Sequence, residues 1–320
     1  MGKPRQLSLF STDDETPSNE SAPIIETPPL RPTATLAAAI NAYRDYMLRK
    51  KFSQHTIKAF TSDLRLLMRY LGKTTPINTI RTAHLKQFLT WLREERGVPC
   101  SPKSYQRRIT TLKSFFKWLH DEGILPTDPA APIIHQRAAT PLPEILYDDE
   151  IERILAVARR RRFDPDTPDA RPYLLFTLLL KTGIKKGECA NIKLTDIDTS
   201  HADAPELYVR YKDPRHAHKE RKLALPRDFA EVLREYLAQY EPDEHLFECT
   251  PRNLEYVLQG LAEEAGVVKG CSFAMLRMTC AVRDWQAGMP PERLRRKLGL
   301  SEITWRETEP KIAILAERGL

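Results

Sequence analysis

Lys103, Arg107, Arg108, Lys113 and Lys117 crowd one short stretch of the chain, and Arg49, Lys50, Lys51 and Lys58 crowd another. Residues of this type can neutralise phosphates and release their counterions, the electrostatic footprint of a nucleic-acid-binding surface. The count along the chain sharpens this. Residues 35–140 hold 18 Lys/Arg against 7 Asp/Glu, whereas residues 1–34 hold 3 against 5 and residues 141–320 hold 29 against 31. A basic surplus confined to one segment also suits a solvated face with no partner, and charge alone leaves both readings open.

Nucleophilic chemistry has fewer openings. Ser301, Thr304, Thr308 and Cys280 qualify by type, but no histidine follows His245 and no tyrosine follows Tyr256, so no general base of the usual kind lies near them in sequence. The five cysteines (Cys100, Cys189, Cys249, Cys271, Cys280) are odd in number, scattered and without CxxC spacing. That pattern argues against a disulfide framework or zinc site, so reduced thiols are expected, with no metal and no cofactor. With no run of about 18 apolar residues and no signal-like leader, no membrane partner and a cytoplasmic location are expected.

The elements that position these residues can be read from periodicity. Residues 1–34, rich in Ser, Thr, Pro and acids, read as a disordered tail. Helices are expected over Leu36–Leu48, His55–Leu71, Thr82–Glu95 and Lys103–Glu122, the last with Ser101 as cap and Pro102 in its first turn. Short helices at this spacing make a small bundle. Trp91, Trp118 and the Phe115/Phe116 pair are expected in its core rather than as base-stacking platforms. Pro126, Pro129, Pro132, Pro141 and Pro143 then impose an extended connector.

Beyond the connector, helical patterns (Asp148–Arg162, Pro172–Thr182, Asp228–Gln239, Arg252–Gly266, Phe273–Ala287, Pro291–Leu298) flank one hairpin, Leu207–Leu225. The run Arg159–Arg162 ends a helix, where cations suit the macrodipole. Lys219, Arg221 and Lys222 at the hairpin tip reach a groove or keep the tip soluble; sequence does not choose. The fold class is mainly α with a small β-sheet: a tail (1–34), a helical DNA-binding domain (35–136) and a mixed second domain (137–320).

In this order, these parts resemble the tyrosine recombinase (phage integrase) family, which includes the chromosome-dimer-resolving enzymes of bacteria. AYRDYMLRKKFSQHTIKAFTSDLRLLMRYL and SPKSYQRRITTLKSFFKWLHDEGILPTDPA are similar to the family's SAM-like core-binding domain. LPEILYDDEIERIL, LLLKTGIKKGECANIKLTDID and RRKLGLSEITW are similar to stretches of its catalytic domain. The resemblance implies a C-shaped clamp on double-stranded DNA, and a chemistry in which a tyrosine attacks a phosphate held by two arginines, a lysine and two His-type residues.

Matched residue by residue, the first arginine is Lys185 and the hairpin lysine is Lys212. The His-x-x-Arg-His stretch becomes AMLRM, with Ala274 and Met278 at the outer positions and Arg277 retained; the later His or Trp is Leu300, and the nucleophile falls near Glu309. The resemblance thus implies a degenerate catalytic set with none intact, and Lys58, Lys103, Arg107, Arg108, Lys113, Lys117, Lys185, Lys212 and Arg277 as DNA contacts. The function expected is DNA binding without cleavage, in an accessory, architectural or regulatory role in recombination or a mobile element. Two alternatives stay open: an active recombinase with a non-standard nucleophile, and a protein-interaction module in which KIAILAERGL docks on another copy or on an active recombinase.

Overall fold

The structure, a computed structural model, describes residues 30–134, 141–201 and 203–319. Most of the expected tail and the middle of the proline connector lie outside the described residues. The chain divides between Thr140 and Pro141 into two compact units.

The first unit is built on α1 (Leu36–Arg49), α2 (Gln54–Leu71), α3 (Thr82–Glu94) and α4 (Pro102–Asp121). Hydroxyl caps set the starts of three of them. Thr35, Ser53 and Ser101 accept from the backbone N–H three residues on, at 3.2, 3.1 and 3.2 Å, and each satisfies a donor the helix cannot. On α4 the stripe Ile109, Leu112, Phe116 and Leu119 is buried. Tyr43 from α1 meets Phe115 edge-on at 5.3 Å and Trp118 at 5.1 Å, and its hydroxyl bonds Ser114 at 2.7 Å. Trp91 packs partly buried against Tyr70 at 5.3 Å. These aromatics are core.

In the second unit, α5 (Asp148–Arg162), α6 (Arg171–Thr182) and the short α7 (Lys186–Cys189) precede a three-stranded antiparallel sheet of β1 (Ile197–Asp198), β2 (Glu206–Val209) and β3 (Arg221–Ala224), in the order β1-β2-β3. After it come α8 (Phe229–Tyr240), α9 (Pro251–Glu264), α10 (Phe273–Gln286), α11 (Pro291–Lys297) and α12 (Glu302–Glu317). Helix α6 is buried along most of its length, as its run of leucines demands. Leu207 and Leu223 pair across the sheet and turn inward, so the strand period of two puts the polar residues outside.

The hairpin differs from a plain ribbon. Its second arm pairs from Arg221, because Pro214–Lys219 winds into a 3-10 turn, with Pro214 at its start and the Asp213 carboxylate accepting from the Arg215 N–H at 3.0 Å. Arginines at the end of α5 serve packing: Arg162 pairs with Glu231 and Glu235 of α8, both at 2.6 Å, and Arg160 and Arg161 pair with Glu264 of α9.

Candidate nucleic-acid interface

In the first unit the basic row of α4 divides into cations used internally and cations left outside. The Arg107 guanidinium donates twice to the Asp63 carboxylate of α2, at 2.9 and 2.8 Å, and Asp63 is 3 % exposed. Arg108 stands 3.5 Å from the same carboxylate, and Thr111 donates to it at 3.1 Å. Asp63 therefore clamps α2 to α4. Lys113 donates to the carbonyls of Ala131 and Ile133 at 3.1 and 2.6 Å, which holds the chain leaving the bundle. Among the described residues Lys117 meets only Asp121, one turn on, at 3.1 Å in solvent. Lys58 and Lys103 are exposed and unpaired among the described residues, as are Arg65 and Arg69 further along α2.

In the second unit the residues matched to catalytic positions, Lys212 apart, fall into three groups. Lys185 precedes α7 and Arg277 lies on α10, and both reach the turn after α11. The Lys185 ammonium donates to the Gly299 carbonyl at 3.3 Å and stands 3.7 Å from Glu188. The Arg277 guanidinium donates to the carbonyls of Gly183 and Leu298, joining the end of α6 to the end of α11. Two of its five donors are thus committed to backbone. Lys212 belongs elsewhere: it lines an open cavity of about 670 Å³ with Glu188, Arg210 and Asp213, and its charge helps hold the Glu244 carboxyl below its ordinary value.

Met278 and Leu300 form the second group. Both pack partly buried against a cluster of Val282, Leu294, Leu298, Trp305, Ile312 and Leu315. Ala274 is exposed on the first turn of α10, and Glu309 is half-buried on α12, the third group.

Glu188, which sequence reasoning did not single out, and Arg221, which it left between a groove contact and a soluble tip, organise this centre. Glu188 is buried and receives Arg221 of β3 at 3.1 and 2.9 Å, the Tyr211 hydroxyl, and the Lys185 backbone N–H at 2.8 Å. Burial pushes the Glu188 carboxyl up, but the Arg221 guanidinium and the other donors outweigh it and hold the group down at about 2. Arg221 also donates to the Lys297 carbonyl at 2.6 Å, tying the hairpin to α11. Burial lowers the Lys185 ammonium, helped by the charges of Arg277, Arg221 and Lys219 against the opposing pull of Glu188. The only available signal for Glu188 was its place three residues after Lys185, where it caps the first turn of α7.

Tyr211 is the tyrosine closest to this chemistry, and it is unsuited to attack. Burial and its bond to Glu188 raise the phenol to about 12. Among the described residues no group of three or more His, Cys, Asp or Glu is arranged to hold a metal, all five cysteines are free, and no helix is long and apolar enough to cross a membrane.

Comparison with known proteins gives a consistent picture. The family model for the phage integrase N-terminal SAM-like domain matches residues 40–123, and that for the phage integrase family matches residues 144–305. The chain is 26 % identical over 276 residues to tyrosine recombinase XerD of Listeria monocytogenes serovar 1/2a, covering 81 % of this chain and 88 % of that protein. It is 32 % identical over 155 residues to tyrosine recombinase XerC of Mycobacterium leprae, 48 % of this chain and 51 % of that one. In fold it resembles the XerH site-specific recombinase bound to a palindromic difH substrate, with a TM-score of 0.70 at 17 % identity over 90 % of this chain and 95 % of that one. A lambda integrase tetramer bound to a Holliday junction gives a TM-score of 0.66 at 18 % identity, over 86 % and 77 %.

Proposed function

This chain belongs to the phage integrase family, and from that premise we propose that it binds double-stranded DNA without cutting or joining it. The observation that carries this reading is the fate of Met278 and Leu300. Strand cleavage by this family needs polar, protonatable side chains at those positions; here both are apolar and packed around Trp305. A pentavalent phosphate gathers negative charge that preorganised donors must meet. An apolar wall supplies none, and the attacking tyrosine's position falls near Glu309, with no tyrosine after Tyr256.

Substitute nucleophiles fare no better. Ser301 accepts from the Thr304 N–H at 3.3 Å as a helix cap, and the Thr308 hydroxyl donates to the Thr304 carbonyl at 2.8 Å. Burial pushes the Cys280 thiol up to about 11, which removes its thiolate at neutral pH. No histidine is near any of them in sequence.

DNA contact falls to cations. Lys58 and Lys103 of the first unit and Lys212 of the second are among the side chains free to meet phosphates, while Arg107, Arg108 and Lys113 shape the surface of the first unit. Lys185 and Arg277 keep part of their donor capacity and hold the turn at Gly299. The role that fits is accessory, architectural or regulatory, on DNA that an active recombinase or another copy of this chain also occupies, with the C-terminal segment as the contact. The two domains, 35–136 and 137–320, would both engage the duplex.

Duplex binding should fall steeply with salt. Six to ten neutralised phosphates lose on the order of 10³ to 10⁵ in affinity between about 50 and 200 mM. A footprint on DNA flanking its own gene, with a nicked suicide duplex on the same samples, checks binding and chemistry together. Binding with no covalent adduct is expected. A trapped protein–DNA adduct would overturn the claim of inactivity, and salt-insensitive binding would overturn the phosphate mechanism.

A further inference from the structure

We propose that a groove on the first unit, between α3, α4 and the chain at Pro132–Ile134, is the intramolecular docking site of the stretch Leu7–Glu15 of this same chain. The inference stands apart from the DNA-binding reading.

The groove encloses about 370 Å³. Leu89 of α3 and Ile109 of α4 lie along it, Ile133 and Ile134 wall it, and Lys86 and Arg93 of α3 add charge to its lining. The wall is fixed in place. Thr82 donates to the Pro129 carbonyl at 2.8 Å, and the Lys113 ammonium donates to the Ala131 and Ile133 carbonyls. Ile133 is buried, while Ile134 stands 81 % exposed. An apolar side chain beside so ordered a wall gains from any apolar cover, at little further ordering cost.

No carboxylate lines the groove among the described residues. The side chains of Lys86 and Arg93 make no ion pair and no hydrogen bond there; the Arg93 guanidinium lies over the Tyr105 ring, 5.5 Å from its centroid. Glu94 and Glu95 follow on the helix without lining the groove. An apolar cleft with two unopposed cations selects an occupant that is apolar along one stretch and acidic beside it.

This chain carries such a stretch. The 29 residues before Leu30 hold five Asp/Glu against two Lys/Arg. Leu7, Leu9 and Phe10 supply three large apolar side chains, and Asp13, Asp14 and Glu15 follow as three consecutive carboxylates. Ile24 and Ile25 have only Glu26 beside them, a poorer match to two cations.

The entry point of the chain suits this. The Ile77 and Asn78 N–H groups donate to the Ala34 and Pro32 carbonyls at 3.0 and 3.1 Å, and Leu30 packs against the core of the first unit. Helix α3, which carries Lys86 and Arg93, begins at Thr82 shortly after. From Glu15 to Leu30 the chain can span up to roughly 50 Å at about 3.3–3.6 Å per residue, against a radius of gyration of about 13 Å for a unit of about 100 residues. A tether of this length holds the stretch at about millimolar effective concentration, so modest contacts suffice.

The test follows the isoleucine and leucine methyl resonances of the full chain. Leu7→Ser with Leu9→Ser and Phe10→Ser should shift the methyls of Leu89, Ile109, Ile133 and Ile134 and leave those of the second unit in place. A synthetic peptide of residues 5–16, added to that variant, should return them saturably toward their parent positions. Lys86→Glu with Arg93→Glu should weaken the peptide by about tenfold or more, and a peptide carrying Asp13→Lys, Asp14→Lys and Glu15→Lys should recover the loss. The parent positions should not change on dilution. Groove methyls that stay still in the triple variant overturn the proposal. So do parent positions that change on dilution, which make a second copy the occupant, and shifts that a DNA duplex produces and the peptide does not, which make the groove a nucleic-acid contact.

Discussion

Two buried carboxylates decide how this family's plan is held together here. Glu188 titrates at about 2 in the folded chain against an ordinary 4.5. A depressed carboxyl stabilises the fold above its unfolded value and loses that contribution as pH falls, so the window runs from about pH 4.5 down to about 2. The shift corresponds to about 3 kcal/mol at neutral pH. Glu188→Gln should lower the thermal midpoint at pH 7 and flatten its acid decline; calorimetric melts between pH 7 and 3 check this. A variant that declines with acid as steeply as the parent would show that Glu188 is not the group responsible. Asp63 in the first unit is 3 % exposed and shared by Arg107, Arg108 and Thr111. Removing one partner of a buried pair costs about 3 kcal/mol because the other charge is left uncompensated. Asp63→Ala should therefore unfold the first unit early, read as an early loss of the Tyr43–Trp118 environment by near-ultraviolet circular dichroism.

At the scale of elements, the bundle helices were legible because their apolar stripes and hydroxyl caps are local: Ser101 marks the start of α4 in sequence as it does in structure. Helix α12 was not, because Pro310 stands inside it. Proline removes a backbone donor and crowds the preceding turn, at a cost of about 3 kcal/mol in a helix interior. The helix forms regardless since Trp305, Ile312 and Leu315 bury against α10 and α11, tertiary burial overriding local preference. Pro310→Ala, at an exposed position, should raise the melting temperature of the second unit by several degrees through about 1–3 kcal/mol of recovered helix stability. No gain would mean that the local bend is itself needed for packing. Which cations are structural was equally hidden. Arg107 and Lys103 look alike in sequence, and only the return of α2 brings Asp63 to one of them. Motif resemblance pointed to Lys185, Arg277 and Leu300, but the pairing of Arg221 with Glu188 emerges only when the hairpin folds back onto α7.

For the molecule as a whole, the surplus of 18 Lys/Arg over 7 Asp/Glu in residues 35–140 overstates the charge available to a partner. Arg107 and Arg108 share Asp63, and Lys113 is spent on backbone carbonyls. What remains on α2 and α4 includes Lys58 and Lys103, exposed and unpaired among the described residues, whose removal disturbs no contact. The two kinds of cation should separate in experiment. Lys58→Gln with Lys103→Gln should leave stability within about 0.5 kcal/mol, as surface changes usually do, while lowering the salt slope of duplex binding by about 2. Arg107→Gln should do the reverse in large part, destabilising the first unit through Asp63 before it alters any phosphate contact. Anisotropy titrations paired with melts on the same variants distinguish the two. If Lys58 and Lys103 can be neutralised with the slope unchanged, the charge surplus of the first unit is a solvated face, and duplex affinity must come from the second unit, whose residues 141–320 carry 29 Lys/Arg against 31 Asp/Glu.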